Sequence, residues 1–267
     1  MFFKPLKNTT RIVICGEVNA GKSTVLNALM RQRLLPDNLG ATIRPAVSVR
    51  WQREAGITAW FPDGICRTIA PGDLDALRGA EYIVINSNMQ HLRPFELVEL
   101  PMTTADDLTK DDFANVQSAA GLLWVTIASQ AWRLTERRIL DELAHVRPAH
   151  GLLAISRADK LRRESDLAKL KQRVATETLD YFDSAHFCRG SPDLLEQSIH
   201  SREAWEQTGA PGMLTEMERI AAEKRDIIGK ATPKNRHGKA MIARMENHEI
   251  STIEAQTHPN VSIRSTM

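Results

Sequence analysis

Eight residues, Gly16-Glu17-Val18-Asn19-Ala20-Gly21-Lys22-Ser23, restrict the fold of this chain more than any other stretch. They fit the pattern G-x-x-x-x-G-K-[ST] and follow directly on the apolar run Arg11-Ile12-Val13-Ile14-Cys15. They run into Thr24-Val25-Leu26-Asn27-Ala28-Leu29-Met30, whose apolar spacing reads as an amphipathic helix. Strand, glycine-bearing loop and helix in that order are the context a phosphate-binding loop requires. Glycines let successive backbone N–H groups turn inward, and the helix presents its positive end to the same anion. In such a loop Gly16, Asn19, Ala20, Gly21, Lys22, Ser23 and Thr24 surround the phosphates. Lys22 reaches the β- and γ-phosphates, and the Ser23 hydroxyl completes a Mg²⁺ shell made otherwise of phosphate and water. The competing reading is a chance glycine-rich turn, against which stand the intact Lys-Ser pair and the correct flanks.

A chain of 267 residues, 42% hydrophobic and 25% charged, is long enough for one large α/β domain but short for two. A net charge of +2 gives no global electrostatic case for nucleic acid. Cys15, Cys66 and Cys188 lack metal-ligand spacing, and the N-terminus does not read as a signal peptide, which points to the cytoplasm. Met1 to Leu6 is too short to span a bilayer and contains Pro5, so membrane contact is expected to be peripheral at most. From residue 229 the composition shifts to Lys230, Lys234, Arg236, Lys239 and Arg244 with few large apolar residues. The expected division is a nucleotide domain over 1–228 and a basic, polar extension over 229–267, a solvated tail or an oligomer arm in preference to a lipid or nucleic-acid patch.

Between these limits the pattern alternates strands and helices. Strands are expected over 46–51, 58–61, 65–69, 82–85, 96–100, 121–128, 150–156 and from 185. Helices are expected near 72–77, from Lys110 or Asp111, after a Thr135 cap, and over 161–182, 193–207 and 213–228, with Gly209-Ala210-Pro211-Gly212 as a break. The nearly continuous apolar run Gly121-Leu122-Leu123-Trp124-Val125 suits a central strand covered on both faces.

The loop sequence together with Leu26-Asn27-Ala28-Leu29, Leu34-Leu35-Pro36 and Thr42-Ile43-Arg44-Pro45 resembles the dynamin-like GTPases, bacterial members especially, within the translation-factor-related class of P-loop GTPases. That resemblance implies a three-layer α/β P-loop GTPase fold with a mostly parallel central sheet, binding GTP or GDP with Mg²⁺. It makes the loop around Thr42 switch I, with Thr42 closing over Mg²⁺ and the γ-phosphate. The competing reading is that Thr42 starts the next strand. Where the family has Asp-x-Pro-Gly this chain has Glu99-Leu100-Pro101-Met102. Glu99 keeps the metal-side charge on a longer stem, and Met102 keeps a backbone N–H for positioning water but loses glycine's freedom to turn. A strand-edge carboxylate is the alternative for Glu99.

The base-reading motif is matched by Ser156-Arg157-Ala158-Asp159, with Asp159 accepting from guanine N1–H and the exocyclic amine, and Arg157 covering the ring. A helix cap is the alternative for Asp159. Cys188-Arg189 aligns with the loop whose backbone meets the guanine carbonyl. Asn19 matches the position from which some relatives hold K⁺, or else braces the loop. The resemblance also suggests a homodimer across the nucleotide face or a related GTPase partner. No two-way helical stalk fits the roughly forty residues after the nucleotide domain, so membrane scission by this chain alone is not expected. Two functions follow: a slow, Mg²⁺-dependent GTPase working as a switch or assembly factor, and a pseudo-GTPase scaffold. An ATP-using P-loop enzyme is disfavoured by Asp159.

Overall fold

The computed structural model describes residues 3–35, 45–70, 72–102, 104–161 and 163–231. The chain divides into a unit of Met1–Lys224 and a second of Arg225–Met267. Among the described residues nine strands form one sheet: β1 (Thr10–Cys15), β2 (Ala46–Trp51), β3 (Gly56–Trp60), β4 (Cys66–Ile69), β5 (Tyr82–Ser87), β6 (Phe95–Glu99), β7 (Gly121–Ile127), β8 (His150–Ser156) and β9 (Ser184–Phe187). Their order is β4-β3-β5-β2-β6-β1-β7-β8-β9. Five of the pairings are parallel and join β6, β1, β7, β8 and β9 in sequence, and β2 with β5. The antiparallel ones join β2 to β6 and bring β3 between β5 and β4. The sheet is therefore mostly parallel, as expected.

Helices α1 (Lys22–Met30), α2 (Lys110–Gln117), α3 (Leu134–Glu142), α4 (Glu164–Glu177), α5 (Pro192–His200), α6 (Arg202–Gln207) and α7 (Ala210–Ala231) cover it on both sides. The alternation of a strand's side chains decides which side each residue serves. Ile12 and Ile14 of β1 pack with Val25, Leu26 and Leu29 of α1 and Met213, Met217 and Ile220 of α7. Val13 and Cys15 face the other way, with Val116 of α2, Ile139 and Leu140 of α3, and Leu170 and Val174 of α4. Trp124 of β7, fully buried, donates its indole N–H to Glu136 at 3.3 Å. The result is the three-layer arrangement that brings the carboxyl ends of the parallel strands to one rim, where ligands of such folds sit.

Several helix ends differ from the sequence reading. Arg133, not Thr135, caps α3: the Arg133 backbone N–H is held by the Glu136 carboxylate at 2.8 Å, and the Thr135 hydroxyl is turned to Glu17 instead. Helix α4 is shorter than 161–182, because Ala158–Lys160 form a separate 3-10 turn and the Thr178 hydroxyl closes on Val174 O at 2.7 Å. Beyond it Tyr181 and Phe182 turn their rings against Trp132. The segment 193–207 splits at Ser201, whose hydroxyl caps α6 through Ala204 N. Helix α7 absorbs Pro211 and Gly212, since proline needs no N–H partner in a first turn, and Gly209 with φ 81° makes the bend alone.

Candidate nucleotide site

The glycine-rich loop leaves the end of β1 under steric compulsion. Gly16 has φ 145°, and a Cβ there would lie 2.2 Å from Val125 O on β7, so no larger residue fits. Gly21, at φ 95°, starts α1, and its missing Cβ leaves room for Ser156, whose Cβ and Oγ would stand 3.1 Å away. Ser156, at the end of β8, donates its hydroxyl to Ala20 O and is buried. The Arg157 guanidinium donates to Asn19 O at 3.1 Å. Thus the loop after β8 clamps the loop after β1. Asn19 itself takes φ 62°, a left-handed conformation that asparagine tolerates better than most residues. The backbone shape alone favours asparagine at this position. Lys22 is buried, and its Nζ donates to Gly16 O at 2.8 Å and Glu17 O at 3.1 Å.

Two cavities open beside this loop. A cavity of about 40 Å³ is lined by Asn19 to Thr24 and Arg157. A larger one, about 140 Å³, is lined by Gly21 before α1, by Thr24 and Val25 of α1, by Arg157 and Asp159, and by Cys188, Arg189 and Gly190. They share Gly21, Thr24 and Arg157, so an anion pocket adjoins a pocket with a carboxylate in its wall. Asp159 sits inside the turn Ala158–Lys160, and its carboxylate is 3.7 Å from Lys160 Nζ. The cap of α4 is Arg163, so the helix-cap alternative for Asp159 does not apply.

Cys188 and Arg189 line the larger cavity, but their backbone N–H groups are committed inside the protein. Cys188 N donates to Ile155 O at 2.8 Å, and Arg189 N donates to Thr208 O at 3.1 Å. Those hydrogens continue the sheet and tie down the turn before α7. Burial pushes the Cys188 thiol up to about 12, offset in part by its backbone bond to Ile155, so it packs rather than reacts.

At the start of α1, the Ser23 hydroxyl donates to the Glu99 carboxylate, 3.3 Å from each oxygen. Glu99 is 4% exposed and lies on β6 between β1 and β2, paired with Ile14 and Val47, so it is no edge charge. A hydroxyl and a carboxylate side by side are hard oxygen donors, the kind Mg²⁺ takes when phosphates and waters supply the rest. These residues fit such an ion. Among the described residues there is no cluster of three or more His, Cys, Asp or Glu that would hold a metal unaided. Met102 has its side chain buried in the core with Val98 and Leu100, which fixes the segment after β6 by packing. Thr42 lies outside the described residues.

Some neighbours of the site were not singled out from the sequence. Lys160 and Met213 line the larger cavity, Met213 arriving from α7, more than fifty residues after Asp159 with no motif to announce it. Arg133 forms an ion pair with Glu17, and the Thr135 hydroxyl donates to the same carboxylate. No local pattern links residues so far apart in the chain.

Fold and site together define a P-loop GTPase-type α/β domain. The Dynamin family model matches residues 12–68. A bacterial dynamin-like protein of Nostoc punctiforme is 23% identical over 282 residues, covering 88% of this chain and 41% of that protein. Among solved structures, a chain of an oligomerised bacterial dynamin pair, described as a mechanism for long range sensing and tethering of membranes, superposes with a TM-score of 0.61 at 15% identity, over 84% of this chain and 37% of that one. The chain thus spans about two fifths of the length of these relatives. The dynamin-like resemblance carried by the motifs is borne out, and the structural likeness concerns the fold.

Proposed function

We propose that this chain binds GTP and GDP and hydrolyses GTP slowly with Mg²⁺, acting through its nucleotide state as a switch or assembly factor in the cytoplasm. The observation that carries this reading is the pair of adjoining cavities: one wrapped by Lys22, Ser23 and loop backbone, the other walled by Asp159. Lys22 and the loop amides would stabilise charge developing on the phosphates. Arg157 would lie across the base face and Asp159 would accept from guanine, whose two donors adenine lacks. Ser23 and Glu99 are the residues that would hold Mg²⁺, which supplies charge neutralisation at the β- and γ-oxygens when bound. The kinship with a bacterial dynamin-like protein supports guanine-nucleotide chemistry in general.

A second reading, a scaffold that binds nucleotide without efficient turnover, is favoured by one feature. Met102 stands where the family carries a mobile glycine, and its side chain is locked in the core. GTP affinity measured together with single-turnover hydrolysis separates the two. Turnover that is lost in Lys22→Ala supports the enzyme; tight GTP binding without turnover supports the scaffold. Tight ATP binding with no preference for GTP would overturn both. Potassium dependence through Asn19 remains part of the proposal, and equal hydrolysis in K⁺ and Na⁺ would remove it. Assembly is proposed from the resemblance, as a homodimer across the nucleotide face or with a related GTPase, and peripheral membrane contact is its furthest extent. Sizing the protein with GTP, GDP and no ligand tests the assembly.

A further inference from the structure

The first turn of the phosphate loop carries an acid of its own. Glu17 is largely buried, with 12% of its side chain exposed, and both carboxylate oxygens are engaged: one by the Arg133 guanidinium, the other by the Thr135 hydroxyl. Those partners stand at the start of α3, so the carboxylate also faces the positive end of a helix. The main chain of Glu17 belongs to the phosphate loop itself, its carbonyl accepting from Ala20 N at 3.2 Å and from Lys22 Nζ at 3.1 Å. A negative charge built into a loop that must receive phosphate repels it, and the repulsion is stronger where water is partly excluded.

We infer that Arg133 is a positioning residue for phosphate binding, acting through Glu17: its charge neutralises and holds the loop's own carboxylate, so that the loop presents net positive potential to an incoming phosphate. Thr135 adds a hydrogen bond but no charge, so the electrostatic effect belongs to Arg133. The pair opens on a groove of about 700 Å³ that Arg138 and Asp106 also line, and Arg133 is 42% exposed, so added salt weakens its influence. The inference rests on the phosphate-loop reading proposed above.

The test measures the affinity of the full chain for Mg-GDP, guanosine and pyrophosphate in wild type, Arg133→Ala, Glu17→Gln and the double variant, with thermal unfolding of each. Arg133→Ala is expected to weaken GDP and pyrophosphate about tenfold, as an uncompensated carboxylate in the loop repels their phosphates, and to leave guanosine unchanged. Adding Glu17→Gln to it is expected to restore the loss, because the exposed negative charge is then gone. A merely structural Arg133 would shift unfolding and all three ligands together. Arg133→Ala with wild-type GDP affinity, or a double variant as impaired as Arg133→Ala, overturns the inference. Wild type that binds pyrophosphate but not GDP overturns only the guanine reading, and the four proteins are then compared on pyrophosphate. Wild type that binds neither overturns both.

Discussion

On the proposed reading, Asp159 in the wall of the larger cavity is the residue that selects guanine. A carboxylate in a partly enclosed wall can satisfy two adjacent N–H donors, and each charge-assisted bond contributes about 1.5–3 kcal/mol. Asp159→Ala is therefore expected to lower GDP affinity by about a hundredfold or more and to leave ADP affinity unchanged, as read by calorimetry. Equal losses for both nucleotides would show that Asp159 supports the turn and not the base. The glycine turns at Gly16 and Gly21 were legible because a motif ties residue type to backbone shape. The environment of Glu99 was legible only in part. Its substitution for aspartate could be seen, but its burial between β1 and β2 follows from strand order, which no local stretch encodes.

At the scale of elements, the far end of the sheet is held by a buried ion pair. Arg11 on β1 and Glu96 on β6 are adjacent in register and almost wholly buried, with Arg11 Nε and Nη2 donating to the two Glu96 oxygens at 2.9 and 3.0 Å. Arg11 reaches on to Phe3 O and Ser118 Oγ, and Glu96 accepts from Leu6 N, so the N-terminal segment is strapped across the strand ends. Removing one partner strands the other charge, which costs about 3–5 kcal/mol. Glu96→Ala is expected to lose that much in urea unfolding with an unchanged slope. A loss under 1 kcal/mol would mean that water reaches Arg11. Strands 46–51 and 150–156 were read residue for residue, since their apolar runs are bounded by turn residues. The start of α3 was misread for a definable reason: Thr135 looks like a cap in isolation, but its hydroxyl answers to Glu17, more than a hundred residues away.

At the scale of the whole molecule, two partly buried imidazoles are expected to couple stability to pH. Burial lowers the pKa of both His91 and His186 from the ordinary 6.5, although His91 donates to Leu29 O at 2.7 Å, which acts the other way. The folded state therefore holds them neutral where the unfolded chain takes up protons. Their contribution to stability is present above pH 6.5 and is lost as pH falls below that value. The melting temperature is expected to fall between pH 7 and pH 5, and less steeply in a His91→Gln, His186→Gln double variant. Identical slopes in the two proteins would assign the fall to carboxylates instead.

The two loops that frame the larger cavity are stitched to each other: Cys188 N donates to Ile155 O, and Ala158 N donates to Cys188 O at 3.1 Å. A wall made this way cannot swing outward without tearing the seam between β8 and β9. If this cavity takes a guanine base, as proposed, its β8–β9 wall is expected to stay in place while the base enters and leaves. Hydrogen exchange reads this directly: the Cys188 amide should exchange as slowly as its β8 neighbours whether or not a nucleotide is present.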